Sequence, residues 1–287
     1  MQNGPLSHRS QIWLGNRARD KFSEAIPRRI WTFWNSDEFP LIVRACFRSW
    51  RETNPDHEII CVTPTNAREY LKSLPENLES ESPQRQSDFI RLCLMKEHGG
   101  IWMDATTLAF ESLDYIHYLR NLADAEFIGY FHATKTTIAG FPLIENWFLA
   151  SPPSSRFVTD WQAEFTYSIM HGSVKYVETV GKRIDIKQLQ QGLPQAPYFS
   201  CHIAAQLIMR RDNPYRLGLI AAEDDAFRLA RHCNWEEGKV ISELTSAGGK
   251  PMGNIFKIIG RLWRPLEQAL QDGKYDGSSI IGRLVQS

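Results

Sequence analysis

The chain has 287 residues, 43% of them hydrophobic and 11% aromatic, enough for one large α/β domain or a domain with a helical annex. Lys plus Arg and Asp plus Glu balance at 33 each, and a formal net charge of zero argues against the broad basic face that marks nucleic-acid binding. The five cysteines (Cys46, Cys61, Cys93, Cys201, Cys233) form no CxxC pair or Cys/His cluster, which disfavours a disulfide framework or a zinc site and fits a reducing compartment. No apolar run approaches the roughly 20 residues that span a bilayer. Met1-Gln2-Asn3-Gly4-Pro5 lacks the basic flank and apolar stretch of a secretory signal. The expectation is a cytoplasmic protein, soluble or peripheral at the inner face of the cell membrane.

Residues 1–25 read as a polar extension with a short helix around Arg17 to Ala25. Arg29-Ile30-Trp31-Thr32-Phe33-Trp34 is aromatic and β-prone, and Asn35-Ser36-Asp37 closes it as a turn. Pro40 to Thr53 predicts a helix ending near Asn54-Pro55, Glu58 to Val62 a strand, and Asn66 to Leu74 a second helix. This β-α-β-α alternation implies a parallel sheet. After a polar connection over 75–86, Gln84 to His98 is helical, and Gly99-Gly100 supplies a left-handed stop. Ile101 to Asp104 and Glu126 to Phe131 read as strands. Beyond Leu143 the pattern predicts helices at 144–150, 154–171, 185–191, 200–212 and 255–271, with a strand at Leu217 to Ala222. The reading is one domain over 26–287, with a ligand-binding core at about 26–150 and a helical part at about 151–287.

An aspartate that ends a buried apolar strand stands where open α/β sheets bind ligands, outside the carboxyl ends of their strands. Asp104 is such a residue. Asp88 and Arg91, three apart, share one face of the preceding helix, either as a solvated ion pair or as part of the same site. No G-x-G-x-x-G follows the first strand, so a dinucleotide dehydrogenase is disfavoured. His132 and His202 are polar-aromatic candidates for a cleft, though a lone histidine is more often structural.

Ser87-Asp88-x-x-Arg91 followed by Gly99-Gly100-x-Trp102-x-Asp104-Ala105-Thr106 resembles the DxD region of retaining glycosyltransferases. It looks most like the bacterial capsular polysaccharide synthesis family, related to yeast mannosyltransferases and clostridial glucosylating toxins. Ile26 to Trp34, Arg48-Ser49-Trp50, Asn54-Pro55-Asp56 and Ile144 to Ala150 extend the resemblance over residues 26 to 150. It implies an α/β fold of GT-A type: a single Rossmann-like nucleotide-sugar-binding domain with additional C-terminal helices. It further implies retention of anomeric configuration by same-face attack, a UDP-sugar donor, and a glycan or lipid-linked glycan acceptor. By the same resemblance Trp34 stacks on uracil and Trp102 lines the nucleotide slot, the alternative for each being a core aromatic buried in the sheet. Asp88 and Arg91 hold the sugar hydroxyls and the phosphate side, Asn146 stands near the donor sugar, and Asp104 is the catalytic aspartate that meets ribose and metal.

Thr106 occupies the place of the second, metal-ligating aspartate. Mn²⁺ and Mg²⁺ prefer carboxylate oxygens, so the divalent-cation site is weakened or completed elsewhere; Glu243, Thr245 and Ser246 are candidates, or Lys250 as a cationic substitute over the diphosphate. The segment Phe256 to Arg264 has the mixture of an interfacial helix, or else packs as a C-terminal helix with a charged outer face. Two other readings stay open: a glycosyltransferase acting on a protein acceptor, and a nucleotide-sugar-binding pseudoenzyme.

Overall fold

The computed structural model describes residues 10–18, 22 and 24–286. Its centre is a seven-stranded sheet in the order β1-β8-β6-β7-β4-β2-β3, with a small β5-β9 pair beside it. The strands are β1 Ser10–Leu14, β2 Arg29–Phe33, β3 Glu58–Val62, β4 Gly100–Met103, β5 Thr107–Ala109, β6 Phe127–Phe131, β7 Ile144–Ser151, β8 Arg216–Ala221 and β9 Ile255–Lys257. The helices are α1 Leu41–Thr53, α2 Ala67–Tyr70, α3 Pro83–His98, α4 Asp114–Ala123, α5 Arg156–His171, α6 Ser173–Gly181, α7 Ile186–Gln190, α8 Ser200–Met209, α9 Arg228–His232, α10 Glu237–Thr245, α11 Gly260–Gln271 and α12 Gly282–Gln286.

Strands β2, β3, β4, β6 and β8 run one way, while β7 and β1 run against their neighbours. The sheet is therefore mixed rather than wholly parallel. Alternate side chains feed two apolar layers, as a period of two requires. Ile30, Ile101, Met103, Ile128 and Ile220 join Ile42, Val43 and Trp50 of α1 on one face. Trp31, Phe33, Trp102, Phe127 and Leu219 join Phe89 and Leu92 of α3, Trp161 of α5 and Ile203 of α8 on the other.

The start and stop of α3 follow their local chemistry. Ser82 caps it, its Oγ accepting the Arg85 N–H at 3.4 Å, and Pro83 opens the first turn where no donor is needed. Gly99 ends it at φ 61°, and Gly100 enters β4 at φ 103°. A Cβ on Gly100 would lie 2.7 Å from the carbonyl oxygen of Arg29 on β2. Glycine is what lets β4 start this close to its neighbour.

Several elements differ from the sequence expectation. Residues 144–150 form β7, not a helix; β7 is covered on both faces, so its apolar run shows no period of two. The helix expected over 66–74 stops after Tyr70, because Leu71 turns extended (φ −119°, ψ 122°). The helix expected over 255–271 divides into β9 and α11, with Ile259 extended between them. Phe256, Ile258 and Leu262 are core residues, so of the two readings of Phe256 to Arg264 the packed one fits, not the interfacial one. The sequence pattern carries no expectation for β5, α4, α6 or α10. Ser10–Leu14, inside the expected polar extension, forms the edge strand β1; the helix expected around Arg17 to Ala25 falls partly outside the described residues. Among the described residues no helix is long and apolar enough to cross a membrane.

Candidate active site

The chain leaves β2 through α1 to reach β3 on one side, and returns through α3 to β4 on the other. The two helices lie on opposite faces of the sheet. The carboxyl ends of β2 and β4 thus flank a topological switch point, where open α/β sheets form a ligand crevice. A cleft of about 550 Å³ opens there, within the range of small-molecule sites.

Asp104, directly after β4, lies on its floor. Its Oδ1 accepts hydrogen bonds from Arg91 Nη2 at 2.7 Å and from the Trp102 indole at 3.0 Å. Its Oδ2 accepts from Lys257 Nζ at 2.9 Å. Burial pushes the carboxyl up, but Lys257 and Arg91 outweigh that and hold it below the ordinary carboxylate value. Arg91 turns its other nitrogen, Nη1, to Asp88 Oδ1 at 2.5 Å. The pair expected on one helix face is therefore buried and shared with β4, not solvated; the Arg91 side chain is 3% exposed. Asn146, carried by β7, donates Nδ2 to the same Asp88 oxygen at 2.9 Å. Burial raises the Asp88 carboxyl to about 6, Arg91 opposing and Asp104 adding to the rise.

Trp34 follows β2 and meets Trp263 edge to face at a centroid distance of 6.4 Å; both line the cleft. Thr106, Asn146, Asp88, Arg91 and His202 line it as well. Burial, with Arg91 nearby, lowers His202 to about 3, so its ring is neutral at neutral pH. Arg85 fixes the opposite wall: Nη1 donates to Ser200 Oγ at 2.6 Å, at the start of α8. That places Tyr198 and Phe199 at the mouth.

Two expectations are corrected. Trp102, expected to line the nucleotide slot, is fully buried. It lies beneath the Arg91 guanidinium, 4.9 Å from ring centroid to Cζ, and orients Asp104. The alternation of β4 decides this, since Trp102 points into the second apolar layer. His132 is outside the cleft lining and pairs its Nδ1 with Glu223 Oε1 at 2.7 Å.

Lys257 is a site residue that the sequence pattern does not reveal. β9 pairs with β5 and sets its last residue opposite Thr107, so Nζ reaches both Asp104 Oδ2 and Thr106 Oγ1, the latter at 3.0 Å. Glu243, Thr245, Ser246 and Lys250 do not line the cleft. Among the described residues no three His, Cys, Asp or Glu side chains converge on one point. Both oxygens of Asp104 already accept from cations, and the hydroxyl of Thr106 is held by one. This donor set does not fit a resident divalent cation.

Residues 10–174 match the family described as "Capsular polysaccharide synthesis protein". The chain belongs to that family. No curated protein matches it in sequence. Among solved structures it is similar to the galactosyltransferase LgtC in complex with donor and acceptor sugar analogs (TM-score 0.44, 13% identity, 90% of this chain and 95% of that one). It is also similar to the glycosyltransferase GlyE of Streptococcus pneumoniae TIGR4 (0.45, 10%, 90% and 62%). A third likeness is to the PaToxG glycosyltransferase (0.39, 12%, 65% and 79%).

Proposed function

We propose that this member of the capsular polysaccharide synthesis family is a retaining glycosyltransferase of GT-A type. It moves a hexose from a UDP-sugar to a glycan acceptor in capsule or other surface-polysaccharide synthesis. The observation that carries the reading is the meeting of Trp34, Asp104 and the Asp88–Arg91 pair in one cleft at the switch point of the sheet.

Each requirement of the reaction has a residue. The base needs a flat apolar partner, and Trp34 with Trp263 forms an aromatic corner. Sugar hydroxyls need fixed acceptors and donors to aim the anomeric carbon; Asp88 is held by hydrogen bonds from both Asn146 and Arg91. Asp104 accepts from the ribose. The leaving diphosphate needs positive charge in a water-poor site, and Arg91 and Lys257 supply it. Same-face attack guided by the departing phosphate needs no strong side-chain base, consistent with a neutral His202 as the nearest imidazole. Tyr198 is exposed and lines the same cleft. Free thiols at all five cysteines and a nucleotide-sugar donor both favour a cytoplasmic reaction on a glycan or lipid-linked glycan at the inner membrane face.

The test is a panel of UDP-sugars, read by thermal stabilisation and by slow UDP release. One sugar that raises the melting temperature and is hydrolysed supports the reading. Indifference to every uridine nucleotide, with a response to a guanosine or other nucleotide sugar, would replace the donor; indifference to all of them would sink it.

A further inference from the structure

We propose that the Lys257 ammonium does in this chain the work of the divalent cation, binding the donor diphosphate directly so that nucleotide binding needs no metal. The inference rests on the glycosyltransferase reading above and assigns the charge at that site.

The polar ends of Asp104 and Thr106, two residues apart after β4, form the edge on which a cation would sit. Lys257, itself outside the residues that line the cleft, already bonds both ends of that edge. Its Nζ lies 2.9 Å from Asp104 Oδ2 and 3.0 Å from Thr106 Oγ1. An ammonium has three N–H donors; these contacts use two and leave the third for a phosphate oxygen. The Lys257 side chain is 11% exposed, so the charge acts where water screens it weakly.

A metal ion would face two obstacles. Mn²⁺ and Mg²⁺ need near-octahedral oxygen ligation, and here the protein presents one carboxylate and one hydroxyl, both engaged. An incoming dication would also meet Lys257 and Arg91, 2.9 and 2.7 Å from the two oxygens it must share. Threonine in place of aspartate follows from the same logic. Lys257 already has a carboxylate partner in Asp104; the Thr106 hydroxyl accepts its second N–H without a second negative charge near the diphosphate. The neutral residue keeps a second negative charge away from the diphosphate, which a second carboxylate there would repel.

The experiment is calorimetric titration of UDP into the wild-type protein, in EDTA and in Mn²⁺, together with electron paramagnetic resonance of Mn²⁺ with protein and UDP. The expected result is one dissociation constant, equal within about twofold in the two buffers, and a Mn²⁺ spectrum no more attenuated by protein plus UDP than by UDP alone. Lys257→Met, with its fold checked by circular dichroism, should weaken UDP by roughly tenfold or more through loss of a charge-assisted contact. In Lys257→Met/Thr106→Asp, UDP binding should return only with Mn²⁺. UDP that binds wild type only with Mn²⁺, and quenches its spectrum at one ion per chain, would overturn the inference and leave the glycosyltransferase reading standing. UDP that binds in neither buffer would overturn the uridine-donor reading and this inference with it. The wild-type arms decide the matter even if Lys257→Met fails to fold.

Discussion

Asp104 meets two cations, Arg91 on Oδ1 and Lys257 on Oδ2, and also accepts the indole N–H of Trp102. Its position at a strand end predicts that Asp104→Asn abolishes transfer and leaves the fold intact. The contacts revise the second half. An amide would turn N–H groups toward at least one of two buried cations and remove the charge that holds both. Breaking a buried ion pair from one side costs about 3–5 kcal/mol; with the Asp104 side chain 25% exposed, about 2–3 kcal/mol is the fitting range. The expected outcome is loss of transfer together with a lower urea midpoint at unchanged slope, measured on the same preparation. Activity near wild type would refute the site, whereas full stability without activity would refute only the energetic role of the two cations.

At the scale of elements, the site depends on β4 starting hard against β2. Gly100→Ala tests this: the residue stands at φ 103°, and its new Cβ would face the Arg29 carbonyl at 2.7 Å. Both the dihedral and the contact oppose alanine, so a loss of about 2–4 kcal/mol is expected in denaturant unfolding. Asp104 would shift with its strand, and transfer should fall along with stability. A variant as stable as wild type would show that β4 can retreat without harm. The same segment shows what is legible in sequence alone. Gly99-Gly100, three apolar residues and Asp104 carry their meaning locally, as does the i, i+3 pair of α3, and each stands where the pattern puts it. β7 is hidden because burial on both faces erases alternation, so the pattern sets Asn146 on a helix, whereas it stands on β7 and donates to Asp88. β9 is too short to show any period, and Lys257 lies 153 residues from Asp104. A lysine brought in by tertiary pairing leaves no spacing signal; only the Thr106 departure hints that a charge has to come from elsewhere.

For the whole molecule, one sheet joins the two halves of the chain: β8, from the C-terminal half, lies between β1 and β6. The carboxyl ends of β6 and β8 are parallel neighbours on the same edge of the sheet as Asp104, and Glu223 ties them together. Its carboxylate accepts the backbone N–H groups of Ala133 at 3.0 Å and Thr134 at 2.8 Å, the Thr134 hydroxyl at 2.8 Å, and His132 Nδ1 at 2.7 Å. Burial alone would raise this carboxyl, but the His132 and backbone hydrogen bonds overcome it and set its pKa far below the ordinary value of 4.5. A depressed acid contributes stability that is fully present above its unfolded pKa and is lost as pH falls toward the folded one. Glu223→Gln should therefore lower the melting temperature at pH 7, with about 2–3 kcal/mol lost for a charged acceptor of several donors. The gap to wild type should stay constant down to about pH 5 and narrow steadily below about pH 4.5 as wild type surrenders the same interaction. Melting curves of the two proteins across this range decide it. A gap that stays constant from neutral pH into acid would mean that the carboxylate is not favoured by the fold, and that the junction of β6 and β8 is held by packing alone.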